Sequence, residues 1–187
     1  MAKGTFHMLF AIDLADIPDS ASRENTSMPV ETLQLRPFKL ADAAAFRALN
    51  EAWIEKNFGL EEPDREILSN PIGHILEPGG FIYMANLDGR AVGCCALIPE
   101  GAGVYQVAKM AVDEQYRGRG IGRKLLSHVI EQARAAGATL LTLESSSRLT
   151  HAVHLYESLG FRHLPSRPSP FVRANVFMEL SLTQERD

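Results

Sequence analysis

The sequence predicts an α/β fold in which a mixed, mostly antiparallel sheet is covered by helices. One observation is a pair of apolar segments joined at Asp88-Gly89, because Asp-Gly between such segments is a strong hairpin signal. The other is a strand–turn–helix–strand unit over residues 103–145, where strand alternation gives way to a helical stripe after a glycine-rich turn. A hairpin makes an antiparallel pair and a crossover helix makes a parallel pair, so the sheet is predicted to be mixed.

The first half of the chain supplies one strand and two helices before the hairpin. Residues 30–38 alternate well enough for a strand. Asp42 is placed to cap a helix over residues 43–58, in which apolar side chains recur at helical spacing. A shorter helix over residues 64–71 is predicted to end at Pro71.

The second half continues the alternation of strands and helices. Leu125, Leu126 and Val129 belong to a helical stripe that ends at Gly137. Residues 138–145 predict a buried strand, residues 148–161 a helix and residues 173–182 a final strand. The predicted order is therefore β, α, α, β, β, β, α, β, α, β.

Composition restricts the class of protein. Of 187 residues, 45% are hydrophobic and 22% are charged, which is typical of a globular domain. A formal net charge of −4 argues against a general nucleic-acid binder. The longest apolar run, residues 91–98, is too short to span a membrane, and without a recognisable signal peptide we expect a cytoplasmic protein.

The N-terminal region differs from the rest of the chain. Residues 1–29 are rich in Ser, Asp, Asn and Pro and lack strand or helix periodicity. They predict a loosely ordered extension, followed by one domain over residues 30–183.

The glycine-rich turn over residues 117–122 suggests a phosphate-binding site. A P-loop is excluded because Lys124 is followed by Leu125 and not by the hydroxyl residue that holds magnesium. A dinucleotide site stays open, since Glu144 lies about 20 positions downstream. The third interpretation is an anion cradle in which backbone amides and flanking cations bind a pyrophosphate, such as that of coenzyme A. An anion there would also explain cations at a helix N-terminus, whose dipole otherwise repels them.

Two segments resemble a known family. "AVDEQYRGRGIGRKLL" is similar to motif A of the GCN5-related N-acetyltransferases (GNAT superfamily), and "HAVHLYESLGF" resembles a later segment of that family. They occur in the family's order, and the resemblance covers roughly residues 30 to 183. It implies a GNAT fold: a central sheet of about six to seven strands, splayed at a cofactor cleft and flanked by about four helices.

The resemblance implies acetyl-CoA as co-substrate and no metal. The pantetheine would pair with the strand before motif A, and the pyrophosphate would lie on the amides of the glycine-rich turn. The implied cofactor-binding residues are Met110, Ala111, Val112, Arg117, Gly118, Arg119, Gly120, Ile121, Gly122 and Arg123.

The resemblance also implies direct transfer of acetyl to an amine in a ternary complex. Tyr156 corresponds to the acid that serves the departing sulfur, although its helical spacing also suits core packing. Gln106 stands where similar proteins often carry a glutamate base, so it is expected to orient a water or the substrate. The base stays open among Glu144, His151, His154 and His74. Leu149 replaces a frequent asparagine.

The acceptor is expected to be a small primary amine, with an amino acid among the candidates. Trp53, Tyr83 and Arg173 are the predicted substrate-binding residues, where Arg173 either holds a substrate carboxylate or pairs with a local acid. Homodimers are frequent in similar proteins. Two alternatives remain: a GNAT-like acyl-CoA-binding protein without turnover, suggested by Gln106 and Leu149, and a nucleotide-dependent oxidoreductase, suggested by Glu144.

Overall fold

Within residues 31–183, seven strands form one mixed sheet, in which only one neighbouring pair is parallel. A computed structural model of the chain describes residues 31–183, and the extension predicted over residues 1–29 lies outside them. The strands are β1 (Leu33–Pro37), β2 (Phe81–Leu87), β3 (Arg90–Gly101), β4 (Val104–Val112), β5 (Leu140–Ser145), β6 (Arg162–Leu164) and β7 (Val176–Ser181). They lie in the order β1-β2-β3-β4-β5-β7-β6, with β4 and β5 parallel. The predicted fold class is confirmed.

In the described part of the chain, four α-helices cover the two faces of the sheet. They are α1 (Ala43–Asn57), α2 (Glu62–Ser69), α3 (Ile121–Ala135) and α4 (Thr150–Ser158). Alternate side chains of β2 separate the two cores: Tyr83 packs in the cluster beneath α3, and Met84 packs with Phe46 of α1. Within residues 31–183, no helix combines the length and the apolar character that crossing a bilayer requires.

The β2–β3 hairpin turns at the predicted dipeptide. Asp88 has φ 49° and Gly89 has φ 83°. Positive φ at both central residues matches the right-handed twist of the strands, which is why Asp-Gly is favoured there.

One local prediction is wrong, and one strand was not predicted. Asp42 makes no side-chain cap on α1, because its carboxylate accepts two hydrogen bonds from Arg36 and one from the Lys39 N–H. The strand β6 was not predicted, since three residues are too few for strand alternation to show in the sequence.

The parallel pair opens towards its carboxyl end. Pairing between β4 and β5 runs only from Val104↔Leu140 to Val107↔Leu143. Beyond it, β4 contains a bulge, since Cys94 pairs with Ala111 while Ala96 pairs with Ala108. Lys109 lies in this bulge with φ 49°, a conformation that is uncommon for a residue with a side chain. Because a bulge bends its strand, β4 diverges from β5 and leaves a cleft.

Candidate active site

The cleft between β4 and β5 is the mouth of a cavity of about 670 Å³. One end lies at the first turn of α3, and the cavity passes β4 to reach side chains of α1 and α2. Arg117, Gly118, Gly120, Ile121 and Gly122 line the first end, and Asn50, Trp53, Ile67, Phe171 and Arg173 line the other. The cavity thus joins the glycine-rich turn to the predicted acceptor region.

A row of free backbone amides defines the α3 end of the cavity. The N–H groups of residues 118–123 donate to no acceptor in the described part of the chain, and the first helical bond runs from Lys124 N to Gly120 O at 3.1 Å. Gly118 and Gly120 have φ 75° and 74°, which residues with a side chain rarely adopt. Free amides at a helix N-terminus, together with the dipole, favour an anion.

The arginines of the turn do not all face this cradle. Arg117 lines the cavity and donates from Nε to Val112 O at 3.4 Å. Arg119 instead pairs with Glu31, and Arg123 donates to Ser158 Oγ of α4 at 2.7 Å. Neither Arg119 nor Arg123 lines the cavity, so at these two positions only the backbone amide is suited to an anion there.

The strand β4 forms one wall of the cavity. Met110, Ala111 and Val112 all line it, beyond the point at which β4 stops pairing with β5. The β5-facing edge of this segment is therefore available to an extended ligand in the way that an exposed sheet edge is.

Tyr156 projects from α4 into the cavity. Its ring meets Phe161 edge-on at 6.0 Å between centroids, and its hydroxyl makes no hydrogen bond within residues 31–183. Burial, with a smaller contribution from Cys95, raises the pKa of Tyr156 far above its ordinary value. The phenol therefore stays protonated at neutral pH and can donate a hydrogen bond.

Gln106 also lines the cavity, opposite Ile98 of β3. Of the candidate bases, Glu144 and His151 line the cavity, whereas His74 and His154 do not. Glu144 already accepts a hydrogen bond from Ser169 Oγ at 2.6 Å and lies 3.7 Å from Arg167.

A buried ion network closes the far end of the cavity. Asp64 of α2 is fully buried and accepts from Lys109 Nζ at 2.7 Å and from both terminal nitrogens of Arg173 at 2.7 and 2.8 Å. Glu61 accepts from Arg173 at 2.7 Å and from the Val172 N–H at 2.8 Å. Asp64 thus joins α2, the β4 bulge and the loop between β6 and β7.

The ion network perturbs the titration of its members. Burial alone would raise the pKa of Asp64, but the hydrogen bonds from Arg173 and Lys109 outweigh burial and hold that pKa below its ordinary value. Burial lowers the pKa of Lys109, and the hydrogen bond to Asp64 offsets this only in part. Two cations face two carboxylates, so the network is neutral as a whole.

The structure brings Trp53 and Arg173 together at the cavity but not Tyr83. Tyr83 lies on the opposite face of the sheet, 5.3 Å from the ring of His128, so an acceptor contact by Tyr83 is not supported. Of the two roles considered for Arg173, the structure shows the pairing with acids of the protein. These acids are Glu61 and Asp64.

Sequence reasoning missed Asn50, Lys109 and Asp64 as members of this site. A single lysine within the apolar strand "VAKMAV" was the available signal, because a buried lysine needs a counter-ion. Among the described residues, no group of three or more His, Cys, Asp or Glu side chains is arranged to hold a metal ion.

The chain is similar in sequence and in fold to known acetyltransferases. The chain belongs to the acetyltransferase (GNAT) family, whose family model matches residues 43–161 of the 187-residue chain. The resemblance found in the two sequence motifs is thereby confirmed.

Individual relatives agree with this assignment. IAA acetyltransferase from Azospirillum brasilense is 36% identical over 137 residues, which cover 66% of this chain and 88% of that protein. N-acetylaspartate synthetase from Rattus norvegicus is 36% identical over 88 residues, which cover 46% of this chain but only 29% of the relative. The structure of yncA from Salmonella typhimurium with its cofactor acetyl-CoA has the same fold, with a TM-score of 0.67 at 20% identity over 83% of this chain and 96% of that one.

Replacing the carboxylate of Asp64 by an amide should destabilise the fold. Asp64→Asn leaves the buried Lys109 without its counter-ion and Arg173 with Glu61 alone, and breaking such a buried pair costs about 3 to 5 kcal/mol. Urea unfolding at pH 7 measures the loss. Glu51→Gln, which breaks the exposed Arg47–Glu51 pair, is the matched control and should cost no more than about 0.5 kcal/mol.

Urea unfolding of wild type and Asp64→Asn at several pH values tests the direction of the Asp64 pKa shift. A carboxylate with a lowered folded-state pKa stabilises above its unfolded pKa, near 4, and this contribution is lost as pH falls through the lower folded value. Wild type should therefore lose stability more steeply than Asp64→Asn as pH falls below about 4. Equal slopes would show that Asp64 does not titrate as described.

Proposed function

We propose that this protein is an N-acetyltransferase that moves an acetyl group from acetyl-CoA to a primary amine of a small molecule by direct attack in a ternary complex. The observation that carries the proposal is one continuous cavity that joins a row of free amides, an open strand edge and a protonated tyrosine. Each of these groups suits a different part of an acyl-CoA donor.

The α3 end of the cavity fits the pyrophosphate of coenzyme A. The free amides of residues 118–123 are donors without acceptors, and Arg117 adds a cation beside them. Met110, Ala111 and Val112 offer an unpaired strand edge for the pantetheine arm. The yncA structure, which has the same fold, contains acetyl-CoA as its cofactor, and this supports acetyl-CoA as the ligand.

Different groups of the protein serve different steps of the proposed acetyl transfer. Acetyl-CoA supplies an activated thioester. A backbone N–H near Ala111 or Val112 polarises the carbonyl oxygen during attack. Tyr156, held as a neutral phenol, donates to the departing sulfur. Gln106 cannot accept a proton at neutral pH, so it orients the amine or a water, and the amine loses its proton to solvent or to Glu144 or His151.

The acceptor end supports a small amine, and amino acids are the first class to test. The name N-acetylaspartate synthetase supports an amino acid, because that relative's product carries the acetyl group on one. Against it, both terminal nitrogens of Arg173 are already bound to carboxylates, so a substrate carboxylate would have to displace Glu61. Trp53 and Phe58, whose ring centroids are 6.0 Å apart, offer an aromatic wall to the rest of the acceptor.

A panel assay tests the proposal. Acetyl-CoA is incubated with amino acids, polyamines and aminoglycosides, and both free-thiol release and acetylated product are measured. Binding of acetyl-CoA without transfer or hydrolysis would favour the acyl-CoA-binding alternative. Calorimetric titration that showed NADH binding more tightly than acetyl-CoA would favour the oxidoreductase.

The tyrosine has a direct test. Tyr156→Phe should lower kcat by about 100-fold or more, because general acids contribute at this scale, while the Kd for acetyl-CoA stays unchanged. Tyr105→Phe is the matched control, since Tyr105 packs against Phe81 and does not line the cavity. An unchanged kcat in Tyr156→Phe would exclude the acid role.

A substitution in the glycine-rich turn over residues 117–122 separates an effect on acetyl-CoA binding from an effect on stability. A methyl group at Gly122 would meet Met110, Val112 and Leu155 at 3.6 to 3.9 Å, so Gly122→Ala folds but narrows the cavity. We expect acetyl-CoA affinity to fall about tenfold or more, while stability is unchanged or higher by up to about 1 kcal/mol.

Gly137→Ala is the matched control, for which we expect a loss of stability without a loss of acetyl-CoA affinity. Gly137 has φ 81° and open space around it, at the far end of α3. Alanine there should cost stability of about 1 kcal/mol through backbone strain and leave acetyl-CoA affinity unchanged. If the two variants weakened acetyl-CoA equally, the turn would not be the binding site.

A further inference from the structure

Asn50 is a buried polar side chain that faces the acceptor end of the cavity. It lies on α1 with only 2% of its surface exposed, yet it lines the cavity together with Trp53 and Ile54 of the same helix. A buried amide normally satisfies all its hydrogen-bonding groups within the protein. The hydrogen bonds that Asn50 makes therefore show which of its amide groups has no partner.

The orientation of the Asn50 amide is fixed by its neighbours. Nδ2 donates to the Phe46 carbonyl at 2.9 Å and to Cys94 Sγ at 3.2 Å, which uses both of its hydrogens. A carbonyl oxygen only accepts, so the reversed amide would set two oxygens against each other. Oδ1 accepts no hydrogen bond from any described residue. It is the one unsatisfied group of Asn50, on a side chain that lines a cavity.

Cys94 ties this amide to the bulge of β4. Burial raises the pKa of the Cys94 thiol to about 12, so the sulfur keeps its hydrogen at neutral pH. Its Sγ lies 3.6 Å from the Lys109 carbonyl oxygen, and Cys94 pairs with Ala111 across the sheet. Asn50 is therefore held beside the segment of β4 at which the thioester carbonyl is expected.

We propose that Asn50 Oδ1 accepts a hydrogen bond from the reacting primary amine and positions it for attack. This inference rests on the proposed function. It names a group that binds the amine, which the proposed function did not assign. The ligand class is a primary amine, bound through an N–H. Gln106 adds a second amide to the same cavity, and its side chain makes no hydrogen bond among the described residues.

An amide oxygen suits this task better than a carboxylate. A carboxylate beside the amine would stabilise the ammonium form and raise its pKa, whereas only the neutral amine has the lone pair that attacks. An uncharged oxygen orients an N–H without holding the extra proton. The nearby carboxylates of Asp64 and Glu61 are bound by Lys109 and Arg173, so they do not replace Asn50 in this role.

Binding without turnover gives the first test. Wild type saturated with CoA, which has no acetyl group to transfer, is titrated calorimetrically with phenethylamine, spermidine and L-aspartate. Asn50→Leu keeps the side-chain size and removes the acceptor, and it should weaken the best-binding amine about tenfold. The Kd for CoA should stay within about twofold of wild type, which a general loss of structure would not allow. If Asn50→Leu melts below the assay temperature, Asn50→Ala replaces it.

Asn57 is a matched control on the same helix. Asn57 Nδ2 donates to the Trp53 carbonyl at 2.6 Å, the same four-residue spacing as Asn50 and Phe46, but Asn57 does not line the cavity. Asn57→Leu should leave amine affinity unchanged. Cys94→Ala removes one of the two acceptors of Asn50 Nδ2 and keeps Oδ1, so it should weaken amine binding less than Asn50→Leu does.

The outcomes separate this inference from the proposed function. If an amine binds and Asn50→Leu weakens it, but wild type transfers no acetyl group, the proposed function fails and the Asn50 site stands. If transfer occurs and Asn50→Leu leaves both amine affinity and the amine KM unchanged, the Asn50 site is wrong and the function stands. A loss in Cys94→Ala equal to that in Asn50→Leu, or no amine binding to wild type, would also overturn the Asn50 site.

Discussion

The early end of pairing between β4 and β5 is the constraint on which the rest of the site depends. Four residue pairs join the two strands, and the pairing stops at Val107 and Leu143. If the pair continued, the edge of β4 at residues 108–112 would be bonded to β5 and the cavity would be closed. The bulge at Lys109 prevents this, because it bends β4 away from its parallel neighbour.

The bulge is in turn held by charge. Lys109 adopts a positive φ that costs of the order of 1 kcal/mol, and its buried ammonium group needs a counter-ion. Asp64 supplies it from α2 and also binds Arg173 in the loop before β7. A strained backbone position, a helix and a loop therefore depend on one carboxylate. An alteration of Asp64 would reach the strand edge as well as the acceptor end of the cavity.

Periodicity and turn chemistry were enough to predict the order of the main elements and the glycine-rich turn at the start of α3. The Asp88-Gly89 turn and the glycines after Arg117 are local signals, because each depends on φ values that few residues adopt. The acceptor end depends on contacts between distant segments, such as Arg173 with Glu61, which are 112 positions apart. Residues 81–87 are apolar almost throughout, so their sequence does not show that α3 covers the face containing Tyr83, which lies on the side of the sheet opposite the cavity.

In the proposed reaction, the charges around the acceptor end of the cavity determine how the amine would lose its proton. Asp64 and Glu61 are bound by Lys109 and Arg173, and Glu144 is bound by Ser169. The amides of Asn50 and Gln106 can orient an amine but cannot remove its proton. If the proposed function holds, such a site favours amines that are partly neutral in solution, since their lone pair is available without a strong base. An amine of high pKa would instead depend on Glu144 or His151, through a water, to carry the proton away.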